Sequence, residues 1–405
     1  MAMDDAILIV KYFPTVQSEH MARSSLFLRC SACALLLTFG TSAQETQDTS
    51  ESSIWDVNHP GGPTFDQIID TREGTWMNVD VSPDGKSIAF DLLGDLYMMP
   101  IEGASTEAKP NPVIQLTSGM AWDMQPRFSP DGKSIAFTSD RTGNQKKGGD
   151  NIWTLNLYTG DVTQITQESF RLLNNPAWSP DGDYLVARKH FTSRRSLGTG
   201  EIWMYHKSGV KGGATSGVAL TRKTNEQKDL NEPVFSPDGR YLYFSEDASP
   251  GNTFEYDKDS NGQIYVIHRL DLEKGERETL IQGPGGACRP TPSPDGQTLA
   301  FIRRLDGRSA LHLYDLNSGA ISILDREMER DMQETWAIHG VYPAMAWTPD
   351  SESLVYWARG KLWQWQVNSS ERQLIPFHIK GTREMMHPVR RKVEVAPETF
   401  PIKML

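Results

Sequence analysis

The chain has 405 residues and a net charge of −11, with 41 Lys and Arg against 52 Asp and Glu. That acidic balance argues against nucleic acid as a general partner. The chain is longer than one hydrophobic core usually serves, and with 33 Gly, 24 Pro and little helical periodicity it points to many short strands and turns.

Export is written at the front. From Met21 the chain reads MARSSLFLRCSACALLLTFGTSAQ. Arg23 and Arg29 supply positive charge, Cys30 to Phe39 is a short apolar run, and Thr41-Ser42-Ala43 is a small-residue cleavage site before Gln44. This is the layout of a secretory signal. The run is shorter than the roughly 20 residues a membrane span needs, so the mature chain is expected to have no span. Asp4 and Asp5 suit a signal badly, which makes Met21 the expected start. Residues 1–43 are read as leader and signal and 44–63 as a linker, and the protein as periplasmic or secreted. A lipid anchor at Cys30 or Cys33 is the weaker reading, because the apolar run follows both. Cleavage leaves only Cys288 and no internal disulfide. Cys288 reads as a small filler rather than a catalytic thiol.

One phrase then recurs: VSPDGKSIAF at Val81, FSPDGKSIAF at Phe128, WSPDGDYLVA at Trp178, FSPDGRYLYF at Phe235, PSPDGQTLAF at Pro292 and WTPDSESLVY at Trp347. A repeat near 50 residues signals a repeat architecture. Within each unit an apolar stretch enters a PDG turn, where Pro presets φ and Gly supplies a positive φ. A short alternating strand follows, such as Ser87–Phe90 or Ser134–Phe137. After a variable polar loop comes a third strand, such as Asp95–Met98 or Glu201–Tyr205, then a tight turn such as Tyr158-Thr159-Gly160 and a fourth strand such as Val162–Thr166. Four strands per unit around an axis make an all-β β-propeller, here of six recognisable blades over 64–378. The motif aspartates Asp84, Asp131, Asp181, Asp238, Asp295 and Asp350 are expected to cap their own turns rather than bind metal. Trp153, Trp203 and Trp363 occupy matching third-strand positions and read as packing between blades.

The six-fold SPDG motif resembles the TolB-type propeller repeat. The stretches IWDVNHPGGPTFDQIIDTREGTWMNVDVSPDG, HFTSRRSLGTGEIWMYH and DMQETWAIHGVYPAMAWTPDS also resemble the amino-terminal propeller of large secreted amidohydrolase-family proteins. That resemblance implies a scaffolding or gating propeller followed by a barrel holding zinc or another divalent metal, with no cofactor in this chain. Its partner would be its own downstream catalytic domain. A TolB-like module docking a periplasmic protein or peptide is the alternative. A prolyl-oligopeptidase-like propeller is another.

Strand order places the PDG and Gly turns on one face and the long loops on the other, so binding is expected on the loop face. Three features fall there. Arg188, Lys189 and His190 with Arg194 and Arg195 form a basic cluster, read as the third unit's loop, for an anion or an acidic partner, with a solvated loop as the plainer reading. Asp257, Asp259 and Asn261 before Gly262 mimic half a calcium loop, but the twelfth position is His268 where such a loop needs Glu. The insertion from Asp331 to Tyr342 carries Trp336, His339 and Tyr342 near the channel mouth and suits a gating or contact loop. The chain has no GxSxG, HExxH or HxH, so neither a serine hydrolase nor a zinc site is complete within it. Finally, Gln67–Thr71 reads as a fourth strand left over once six units are counted. Its partners are therefore expected downstream, with 379–405 a linker or the start of a further blade and the chain a fragment.

Overall fold

The computed structural model describes residues 56–388, 390 and 399, apart from 105–111, 142–148, 169–171, 193–197 and 210–216. The signal, Arg194 and Arg195 lie outside the described residues. Six antiparallel four-stranded sheets form the fold, each with its strands in sequence order, and the described residues contain no helix. Blade 1 comprises Val79–Val81, Ser87–Leu92, Asp95–Pro100 and Ile114–Gln115. Blade 2 comprises Asp123–Phe128, Ser134–Ser139, Asn151–Asn156 and Val162–Gln164. Blade 3 comprises Leu173–Trp178, Tyr184–Phe191, Thr199–His206 and Val218–Ala219. Blade 4 comprises Leu230–Phe235, Tyr241–Asp247, Tyr265–Asp271 and Arg277–Ile281. Blade 5 comprises Cys288–Pro292, Thr298–Leu305, Arg308–Asp315 and Ile321–Asp325. Blade 6 comprises Ala346–Trp347, Ser353–Ala358, Lys361–Gln366 and Glu371–Ile375.

The SPDG turns explain themselves chemically. In every unit the motif Ser or Thr donates its hydroxyl to the motif aspartate, as Ser129 Oγ does to Asp131 Oδ1 at 2.6 Å and Thr348 Oγ1 to Asp350 Oδ1 at 2.5 Å. The same aspartate oxygen accepts a backbone N–H two residues on, Lys133 N at 3.1 Å in blade 2. These hydroxyl bonds hold Asp84, Asp131, Asp181, Asp238 and Asp350 below the usual carboxylate range. The fifth motif residue takes positive φ in each turn: Gly in five units, and Ser351 at 63° in the sixth. The aspartates are turn caps.

Apolar faces of adjacent blades make the core. Tyr97, Trp153, Trp203, His268, His312 and Trp363 occupy the equivalent third-strand position, and a cation lies over each of the three indoles: the Arg141 guanidinium is 5.7 Å from the Trp153 ring, Lys189 Nζ 4.0 Å from Trp203 and the Arg372 guanidinium 3.7 Å from Trp363. The ring closes by packing. Val79, Phe90 and Met99 of blade 1 share one cluster with Val355, Trp357 and Ile375 of blade 6. Val79 N donates to Ala344 O at 3.1 Å, and Ala104 N to Pro376 O at 2.7 Å. Among the described residues no strand is shared between the first and last blades.

This corrects the strand count. The expected leftover strand, Gln67–Thr71, is part of Thr64–Thr71, which belongs to no blade but pairs antiparallel with Ile379–Met386 as a two-stranded ribbon. Arg383 Nη1 anchors the ribbon on blade 1 by donating to Asp95 Oδ2 at 2.6 Å. The alternation of Thr64–Thr71 resembles that of a fourth strand, but its side chains are mostly exposed.

Candidate functional site

The turn face and the loop face differ in chemistry, and the axis between them carries a polar ring. In blades 2 to 5 the first strand is bulged just before a proline. Gln125, Asn175, Glu232 and Arg289 sit there with φ of 60, 54, 58 and 56°. Left-handed backbone is costly for such side chains and persists only where the surroundings hold it. Here the holding is mutual. Asn175 N donates to Gln125 Oε1 at 2.7 Å, and Arg289 N to Glu232 Oε2 at 2.6 Å. The Arg289 guanidinium donates to Asn175 Oδ1 at 3.2 Å. Blades 3 and 5 are not neighbours, so this last contact crosses the axis.

The connection from blade 5 to blade 6 lies over that ring as a plug. Its base is tied by Arg304, whose Nε and Nη2 donate to Asp331 at 2.6–3.0 Å, and by Ser309 Oγ donating to Asp331 Oδ2 at 2.6 Å. Its tip is tied by the ring. Val341 N and Tyr342 N donate to Glu232 Oε1 at 2.6 and 3.1 Å. Gln125 Nε2 donates to the His339 carbonyl at 2.6 Å, and Asn231 Nδ2 to the Ala337 carbonyl at 2.9 Å. Gly340 has φ of 109°, and a Cβ there would meet Arg289 Nη2 at 2.4 Å.

Beside the plug opens a cleft of about 680 Å³. Four carboxylates line it: Asp91 from blade 1, Asp123 from the start of blade 2, and Asp140 and Asp150 from the two ends of one loop. Trp76, Trp122, Trp336 and His339 also line it. The acids crowd one another. Asp140 is raised from its ordinary value, chiefly by burial and then by repulsion from Asp150 and Asp123. Asp91 is pushed up to about 6, chiefly by burial. Asp123 pairs through Oδ2 with Arg141 Nη2 at 2.5 Å, but its Oδ1 is buried without a hydrogen-bond partner. His339 Nε2 lies 2.8 Å from Asp150 Oδ2. A smaller opening of about 310 Å³ on the turn face is lined by motif residues, including Pro130, Pro180, Pro237 and Trp347.

The plug is where the structure brings the expected loop residues together. Trp336 and His339 line the cleft, whereas Tyr342 is buried and donates its hydroxyl to the Trp357 carbonyl at 3.2 Å. The basic cluster is placed differently from the expected loop. Arg188, Lys189 and His190 lie within the second strand of blade 3, which runs on to Phe191 in full register with Thr199–His206. Arg188 is wholly buried and donates to Asp229 of blade 4 at 2.7–3.2 Å. Lys189 Nζ donates to Glu168 Oε1 at 2.5 Å. The His190 ring meets Trp336 edge-on at 5.4 Å. These bases are neutralised inside the fold, not displayed. The half calcium loop turns inside out. Lys258 points inward to Asp247 Oδ2 at 2.8 Å, Asp257 and Asp259 are exposed, and Asp259 Oδ1 accepts Asn261 N at 3.0 Å as a turn cap. No three His, Cys, Asp or Glu side chains among the described residues converge as a metal cage.

Sequence reading missed Asp91, Asp123, Asp140, Asp150, Trp76 and Trp122. Trp122, Asp123, Asp140 and Asp150 border the first three strands of blade 2, whereas Trp76 and Asp91 come from blade 1, and no motif spacing joins the two sets. The signal available was the ends of the strands bordering the long loops, where an acid recurs in AFD and TSD.

Residues 65–189 match the family model described as the TolB beta propeller domain. The fold is that of a TolB-type propeller. TolB from Acinetobacter baumannii superposes with a TM-score of 0.53 at 19% identity, covering 76% of this chain and 64% of that one. An uncharacterized protein of Agrobacterium fabrum, Atu1656, is 25% identical over 265 residues, which are 63% of this chain and 79% of that protein. The uncharacterized peptidase YuxL of Bacillus subtilis is 28% identical over 162 residues, 34% of this chain. That matched stretch covers only 24% of YuxL.

Proposed function

We propose that this chain is an exported recognition module that binds a protein or peptide segment at the cleft beside the plug. The observation that carries the reading is the asymmetry of the axis. The ring and plug close the channel through hydrogen bonds, while the adjoining cleft gathers three indoles, crowded acids and two buried polar atoms without a partner, Asp123 Oδ1 and Trp336 Nε1. Recognition sites on propellers belong on the variable loops, which a repeating scaffold holds still. No Ser or Cys is among the described residues of the cleft lining; Cys288 is buried, with its thiol pushed up by burial, so that residue suits packing.

Similarity to YuxL, a protein called a peptidase of which the chain matches about a quarter, favours a second reading. In it the propeller stands beside a hydrolytic domain and the cleft meets that domain's substrate or the domain itself. The amidohydrolase barrel implied by the sequence resemblance would be such a domain.

Site-directed photocrosslinking in the exporting host tests the main reading. A crosslinking residue at Trp122, on the cleft, is expected to trap a partner. One at Tyr158, on the turn face, is expected to trap none. Adducts from position 158 alone would overturn it.

A further inference from the structure

We infer that the cleft recognises a primary ammonium group carried by a peptide, either the amino terminus or a lysine side chain. This rests on the recognition reading above and gives it a chemistry. Among the described residues the lining holds four carboxylates, of which Asp123 pairs with Arg141 and Asp150 meets the His339 ring. Asp91 is filled by donors of the fold itself: the Asn78 amide and side chain and the Gln125 N–H. Asp140 accepts the Trp122 N–H at 2.7 Å. Asp123 is the exception. Its side chain is fully buried, it lines the cleft, and Oδ1 accepts nothing. A buried acceptor left open costs about 1–3 kcal/mol, more when charged, so a donor is expected to complete it.

The walls choose between cations. Trp122 is half exposed and Trp76 and Trp336 line the same space. Indole faces attract organic ammonium ions through the ring quadrupole and offer a metal ion no ligand atom. A divalent ion would need several converging oxygens, and the described carboxylates do not form such a cage. An ammonium needs only about three acceptors and an apolar wall for its stem. A volume of about 680 Å³ admits a residue or two of peptide rather than a bare ion.

Four probes titrated by calorimetry and tryptophan fluorescence test this. Glycyl-glycyl-glycine amide carries only an α-ammonium, and N-acetyl-Gly-Lys-Gly amide only a side-chain ammonium. N-acetyl-Gly-Gly-Gly amide carries neither, and calcium chloride is the fourth. At least one ammonium peptide is expected to bind at least about tenfold more tightly than the doubly blocked one, the scale of a charge-assisted contact. Binding by the first alone assigns a chain terminus, and binding by the second alone a lysine. Asp140→Asn and Trp122→Ala, whose folding is checked by circular dichroism and melting temperature, are each expected to weaken the binding peptide about tenfold. Equal affinity with and without an ammonium would overturn the inference, as would calcium binding that Asp140→Asn abolishes. Crosslinks from position 122 without any ammonium preference would sink this chemistry and leave the recognition reading standing.

Discussion

The turn face and the loop face of this propeller are built from the same strands and obey different rules. On the turn face every unit solves the same local problem the same way: a hydroxyl, an aspartate and a residue at positive φ satisfy one another within six residues. On the loop face partners are far apart in sequence. Arg188 finds Asp229 in the next blade, Glu232 holds the plug more than a hundred residues away, and Asp123 keeps an oxygen open. The repeated face specifies the fold, and the unrepeated face carries strain, burial of charge and the open valence that a partner can use.

Breaking loop-face pairs is expected to cost most. Asp229→Ala leaves the Arg188 guanidinium wholly buried with its main acceptor gone, a loss of about 3–5 kcal/mol, read as a lower denaturation midpoint. Next, Gly340→Ala forces a Cβ against Arg289 and a left-handed backbone on a non-glycine residue. It is expected to cost about 1–3 kcal/mol and to loosen the plug, read as faster hydrogen exchange over 332–342.

On the turn face the expected effect is smaller and the same in any unit. Ser129→Ala removes both the donor to Asp131 and the acceptor for Ser134 N, about 1–2 kcal/mol. Its counterpart Ser236→Ala is expected to match it, and unequal losses would show that the turns are not equivalent.

A pH dependence separates the ribbon anchor from both faces. Asp95 is held up at about 7, chiefly by burial, against the pull of Arg383 and with repulsion from Asp123. A carboxyl raised on folding contributes stability that is full below its ordinary value of about 4 and lost as pH rises through about 7. Melting temperature should therefore fall between pH 5 and 8 more steeply in the wild type than in Asp95→Asn. Parallel curves would refute the assignment.

The contrast also explains what the sequence could disclose. Six motifs and their turn chemistry, and the face on which the long loops lie, follow from residues within a few positions of one another, and the structure has each of them. Gln67–Thr71 carries the alternation of a strand but nothing that names its partner, so a place outside a six-bladed ring stood open as the alternative and the pairing with Ile379–Met386 was hidden. Arg188, Lys189 and His190 read as part of a loop because a basic run of that kind is normally solvated, whereas the strand runs on through them to Phe191. Only the distant Asp229 makes burial of Arg188 tolerable. The half calcium loop likewise conceals a distant pairing, since Lys258 between its acids turns inward to Asp247. Three of the cleft acids meet at one end of blade 2 through strand pairing, and Asp91 joins them from blade 1, a convergence that linear spacing does not record.

Hydrogen exchange with and without the partner trapped from position 122 tests the division of labour most directly. Slowed exchange confined to residues 75–78, 122–125 and 336–340, with the turns at 82–87, 129–134 and 179–184 unchanged, is the predicted result. Protection of those turns with an unaltered cleft would contradict it.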